Sequence, residues 1–114
     1  MRKPDPVIVT RSALRFAALG AEPRLQILRL LLAAHPHGLV AGEVQEEMEI
    51  PASTLSHHLE KLKQVGLVTV RREGTYLWYA AQTDALREVL TFLYEECCTR
   101  SSAVAPETLV QISK

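Results

Sequence analysis

Cys97 and Cys98 stand side by side in the stretch "FLYEECCTR", and the 114-residue chain has no third cysteine. Two cysteines cannot build a disulfide framework. Consecutive Cα atoms lie about 3.8 Å apart, under the roughly 4.4 Å floor for an unstrained bridge, so the pair reads as two free thiols. A second set of chemically useful groups lies upstream in "STLSHHLEKLKQVG". With Leu55 at zero on a wheel of about 100° per residue, Leu59 and Leu62 fall within about 40° of it and form a buried stripe. Ser53, His57, Lys61 and Gln64 fall on the opposite side. Short polar side chains early in a helix, with a cation further along, suit base edges first and phosphate next. His58, about 60° from the stripe, reads as a flank residue hydrogen-bonded within the domain.

Both sets must be held by a small frame. At 47% hydrophobic and 23% charged, the chain can bury one core, and its size favours oligomerisation. The N-terminal "MRKPDPVIVTR" lacks the apolar run of a secretory peptide, and no segment has membrane-spanning length, so a soluble, cytoplasmic protein is expected. A formal net charge of zero argues against nucleic acid, but its distribution argues for it. Glu43, Glu46, Glu47 and Glu49 crowd one segment; Lys61, Lys63, Arg71 and Arg72, with His57 and His58, crowd the next.

The elements follow from periodicity. A helix is expected from near Thr10 to Gly20, a residue suited to a left-handed helix end. Next comes a broadly buried helix with Pro23 in its first turn and Leu25, Ile27, Leu28, Leu31 and Leu32 in two apolar rows. After "HPHG" comes a short helix, "VAGEVQEEM". The turn "EIPAS" follows, with Ser53 or a neighbour able to cap the helix that ends at Gly66. "LVTVRR" and "YLWYAA" flank "EGT" as a hairpin turning at Glu73-Gly74 or Gly74-Thr75. A last helix starts at Thr83 or Asp84 and carries Leu86, Val89, Leu90, Leu93 and Cys97 at helical spacing. Residues 1–98 form the expected domain, and 99–114 a weakly ordered tail.

This order, mainly α with a small β-hairpin wing, is that of a winged helix-turn-helix. Each feature also has a plain reading: a polar helix row is often a solvated face, and Arg71-Arg72 before a glycine turn is often only a soluble hairpin. Their joint occurrence in this order favours a DNA-binding module.

"STLSHHLEKLKQVGLVTVRREGTYLWYAA" is similar to the recognition helix and wing of the ArsR/SmtB family of metal- and metalloid-responsive repressors, and "EPRLQILRLLL" resembles the family's upstream segment. The match spans roughly residues 18–81. The resemblance implies a homodimer through the first and last helices, recognition helices in successive major grooves of double-stranded operator DNA, and release on effector binding. By position, Ser53, Thr54, Ser56 and His57 match the family's contact residues, and Arg72 with Gly74 match its wing.

Effector sites vary within the family. The Cys-x-Cys pair of many members falls here on "LVAGEV", which has no cysteine. The last-helix zinc ligands have no counterpart either: Leu86 follows Asp84 by two residues, and His35, His37, His57 and His58 lie elsewhere. An adjacent pair such as Cys97-Cys98 at the end of the last helix resembles the arsenite-sensing branch, some members of which add a downstream cysteine where this chain has Ser101 and Ser102. Trivalent arsenic prefers thiolates over oxygen and nitrogen donors. Methylarsenite needs only two thiolates; arsenite would complete its third position with hydroxide or an outside thiol. The expected effector is therefore trivalent arsenic, as arsenite or an organoarsenical, on Cys97 and Cys98, with no catalytic cofactor.

Other readings stay open. Cys97 continues the row Leu86, Leu90, Leu93 and could be a small buried hydrophobe. A redox or persulfide sensor is a second use of the pair, although a helix C-terminus disfavours a thiolate, an effect Arg100 opposes. A winged-helix protein-interaction module is a third. No histidine neighbours the cysteines and no glycine-rich phosphate loop is present, so an enzyme is not expected.

Overall fold

The computed structural model describes residues 3–98. In chain order the elements are α1 (Pro6–Leu19), α2 (Glu22–Ala33), β1 (Leu39–Val40), α3 (Ala41–Met48), α4 (Ala52–Gln64), β2 (Val68–Glu73), β3 (Tyr76–Ala81) and α5 (Thr83–Cys98). The expected tail, 99–114, lies outside the described residues.

α1 starts four residues before the expected Thr10. Asp5 Oδ1 accepts from Val7 N–H at 2.9 Å and Pro6 fills the first helical position, where a missing N–H costs nothing. Gly20 was expected to be left-handed, but it has φ −70° and ψ −12°. Its N–H donates to Ala17 O at 3.3 Å, so a tight last turn closes α1 without a positive φ.

The core gathers Ile27, Leu28 and Leu31 of α2, Val44 of α3, Leu55, Leu59 and Leu62 of α4, then Leu67, Val68, Ala81 and Ala85. The wheel drawn for α4 thus names its buried stripe. Burying each of these leucines contributes about 1.5–3 kcal/mol, so α4 is held by one face and leaves the other free. α2 is less broadly buried than its two rows imply, for Leu25 is exposed.

The three-stranded antiparallel sheet has the order β1-β3-β2. β1, absent from the expected elements, pairs Leu39 with Tyr79 and Val40 with Trp78. Glu73 pairs with Tyr76, which settles the hairpin turn on Gly74-Thr75. Gly74 has φ 62° at the first central position, as a two-residue turn that matches strand twist requires. α5 buries Ala85 and Val89 against the protomer, whereas Leu90 and Leu93 face outward. Of the row that Cys97 continues, Leu86 packs against the core, whereas Leu90 and Leu93 are exposed on the protomer. No helix among the described residues is long and apolar enough to cross a membrane.

Candidate nucleic-acid interface and effector segment

α3 and α4 form the helix-turn-helix. Glu49 ends α3 in the left-handed conformation, φ 54°, and its N–H donates to Gln45 O at 2.8 Å. At the other end of α3, Glu43 Oε1 accepts from Val40 N–H at 3.1 Å. α4 then begins after Pro51, which occupies the N-cap position without a side-chain cap. Ser53, expected as a possible cap, is instead the second helical residue. Its hydroxyl is not committed to a cap, because Pro51 already supplies the extended entry geometry.

Opposite the buried stripe Ser53, His57 and Lys61 are exposed, as are Thr54 and Ser56 on its two flanks. The side chains of Ser53, Thr54, Ser56 and Lys61 make no hydrogen bond or ion pair among the described residues, whereas Lys63, further along, pairs with Glu60 at 3.4 Å. The His57 and His58 rings lie 5.7 Å apart, tilted by 59°. His58 is the half-buried flank residue that its wheel position predicts: its Nδ1 meets Arg24 Nη1 at 3.5 Å, and Arg24 Nε donates to Ala18 O at 2.7 Å. Burial, then the Arg24 and His57 charges, holds the His58 imidazole below its ordinary 6.5.

The two wing arginines do different jobs. Arg71 donates Nε to Glu73 Oε1 at 2.9 Å and Nη1 to His37 O at 2.8 Å, and lies 5.4 Å from the Trp78 ring centre. It is tied across the sheet. Arg72 pairs in register with Leu77 and makes no ion pair among the described residues, which leaves its charge available beside Gly74. α4 therefore exposes a polar row with one cation, Lys61, and the wing carries Arg72 without an ion pair among the described residues.

Cys97 and Cys98 are the last two residues of α5. Their side chains lie outside the described ones. Among the described residues, no group of three or more His, Cys, Asp or Glu could hold a metal ion.

One cluster escaped the sequence reading. Glu88 of α5 accepts Arg11 Nε at 2.6 Å and Nη2 at 3.0 Å, and also Arg15 Nη1 at 3.0 Å. The Arg11 hydrogen bond leads the causes that hold the Glu88 carboxyl below its ordinary 4.5, against a desolvation that raises it. The available signal was Arg11 and Arg15, four apart on one face of α1; their partner lies more than 70 residues away.

A helix-turn-helix domain model matches residues 19–71. An uncharacterised HTH-type transcriptional regulator of Methanocaldococcus jannaschii, MJ1325, is 36% identical over 80 residues, covering 70% of this chain and 88% of that one. The transcriptional activator HlyU of Vibrio cholerae is 33% identical over 81 residues, covering 71% and 72% of the two chains. The arsenical resistance operon repressor of Staphylococcus aureus is 33% identical over 72 residues, covering 63% and 66%. Among solved structures, V. cholerae HlyU superposes with a TM-score of 0.62 at 32% identity, over 75% of this chain and 94% of that one. The homodimeric winged helix-turn-helix domain of Mycobacterium bovis Mb0332, a possible ArsR-family regulator, gives 0.63 at 26% identity over 91% and 97%. These proteins are transcriptional regulators, not enzymes. With its helix-turn-helix, its wing and these relatives, the chain belongs to the ArsR-type family of winged-helix, DNA-binding transcriptional regulators.

Proposed function

We propose that this protein is a homodimeric, cytoplasmic repressor that binds an operator through α4 and the wing and releases it when trivalent arsenic, as arsenite or methylarsenite, bonds to Cys97 and Cys98. The observation that carries the DNA part is the uncommitted row Ser53, Thr54, Ser56, His57 and Lys61, continued on the wing by Arg72 and Gly74. Early residues of α4 read base edges, Lys61 and Arg72 meet phosphate, and Gly74 lets the wing tip approach the backbone closely.

Dimerisation is supported by apolar side chains left outside on α1 and α5. Val7, Leu14, Leu90 and Leu93 are exposed although both helices pack on the core with their other faces. Pairing these faces across a two-fold axis hides them and sets two α4 helices about one DNA turn, roughly 34 Å, apart.

The effector part rests on the donor set. Two adjacent thiols suit a soft trivalent centre. Each thiol gives up its proton as a sulfur–arsenic bond replaces an arsenic–oxygen bond and water leaves, with no change of oxidation state. Successive helical residues point about 100° apart, so joint engagement of both sulfurs favours opening the last turn of α5. A change at the end of a dimerisation helix shifts the protomers and breaks the α4 spacing.

The test is a gel shift against a duplex selected from a random library. Arsenite, methylarsenite, zinc and peroxide are added separately. The expected result is salt-dependent preference for the selected duplex and release by the arsenicals alone. Release by peroxide alone would make the pair a redox sensor, and absence of any DNA preference would leave a protein-interaction module.

A further inference from the structure

Arg15 occupies an unusual position for a charged side chain. It is nine-tenths buried on α1, donates Nε to Val65 O at 2.8 Å, and donates Nη1 to Glu88 Oε1 at 3.0 Å. Val65 is the residue that closes α4, so one guanidinium joins α5 to the end of the recognition helix. Arg11, one turn earlier, grips both oxygens of Glu88 and thereby fixes the carboxylate that Arg15 needs.

The backbone at that end of α4 is shaped to receive it. Gly66 has φ +78°, and a Cβ there would stand 3.2 Å from Arg15 Nη2. Beside this contact an open groove of about 650 Å³ runs between α1 and the end of α4, lined among others by Val7, Leu14, Gln64 and Val65. Side-by-side apolar packing does not close the two helices together there. The buried stripe of α4 fixes the depth of the helix, while the Arg15 bond fixes where its last turn stands relative to α1.

We infer that Arg15, held by Glu88, is the positioning residue that sets the recognition helix against the α1–α5 pair and carries movements of α5 to the DNA-reading surface. The inference rests on the repressor reading above. Glu88 lies nine residues before Cys97, about 13.5 Å along the helix, so α5 is a short lever between the thiols and the strut. An ion pair that served only stability would need no bond to the recognition helix; the buried Arg15 spends its Nε donor on the carbonyl that ends α4. The carbonyl at a helix C-terminus carries partial negative charge, which a guanidinium satisfies.

Affinity of the purified dimer for its selected duplex and for random duplex, with dimer state and thermal unfolding measured alongside, tests this. Arg15→Lys cannot span both partners from one ammonium, and Glu88→Gln weakens the grip without changing size. Each is expected to lower affinity for the selected duplex about tenfold, within the range of ordinary coupling between sites. Random-duplex affinity should stay within about twofold, and the double variant should be no worse than the poorer single one. Variants that fold, dimerise and keep the parent's preference would overturn the inference alone. A parent without any preference would overturn the repressor reading, and this inference with it. If Arg15→Lys fails to fold, Glu88→Gln decides by the same affinity ratio.

Discussion

Ser53 and Ser56 show how little a residue type says until its position in a helix is known. Pro51 takes the N-cap, which places Ser53 inside the first turn with its hydroxyl uncommitted. The exposed polar row was legible because its 100° periodicity separates it from Leu55, Leu59 and Leu62 within a single helix. Arg15 and Glu88 were not legible, because their meeting depends on how two distant helices pack. Replacing His57 or Ser56 by Ala should cost about 1–3 kcal/mol on the selected duplex and much less on random DNA; equal losses in a competition assay would remove that residue from the base-reading row. Arg72→Ala should weaken binding to both DNAs and lower the salt slope by about one. Arg71→Ala should leave that slope alone and loosen the wing by about 0.5–1 kcal/mol, seen as earlier unfolding. His58 gives a pH signature. Its folded pKa is depressed below the ordinary 6.5, so the folded state disfavours the imidazolium. Its stabilising contribution is full above that value and is lost as pH falls through the folded pKa. His58→Gln should therefore flatten the decline of thermal stability between neutral and mildly acidic pH, and an unchanged decline would assign it to other groups.

At the scale of elements, α4 shows a well-specified end. Gly66 N–H donates to Lys63 O at 3.0 Å and Leu67 N–H to Leu62 O at 3.0 Å, while the buried Leu62 and Leu67 side chains complete the cap. Gly66 supplies the positive φ this requires. Gly66→Ala should cost about 1–2 kcal/mol in chemical unfolding, since an alanine there takes a left-handed conformation and meets Arg15. A neutral outcome would mean that the end of α4 relaxes freely. Glycine after a leucine-rich helix was readable in advance, as was the hairpin from its β-branched and aromatic runs. β1 was not, because two residues are too few to show alternation and its partner β3 lies far along the chain. The early start of α1 has a signal after all, in Asp5 followed by Pro6, and Gly20 shows that a glycine at a helix end need not be left-handed where a tight last turn closes the helix.

For the whole molecule, the sequence showed which residues are apolar but not which apolar faces one protomer satisfies alone. Leu90 and Leu93 share α5 with the buried Val89 and yet remain exposed, and with Leu14 and Val7 of α1 they make the face assigned to a second copy. Leu93→Glu should yield a folded protomer that sediments as a monomer and loses preference for the selected duplex by well over tenfold, because two half-sites can no longer be bound together. A dimer of unchanged stability would move the interface elsewhere. The central claim is that two adjacent thiols at the end of that interface govern DNA release. Its most direct test follows the fluorescence anisotropy of a labelled duplex held by the dimer while methylarsenite or arsenite is added, for the parent and for the Cys97→Ser, Cys98→Ser double variant. The account predicts stoichiometric release from the parent and a double variant that binds the duplex equally well and never lets go. Release from the double variant with the parent's dose response, or a parent that stays bound at saturating arsenical, would contradict it.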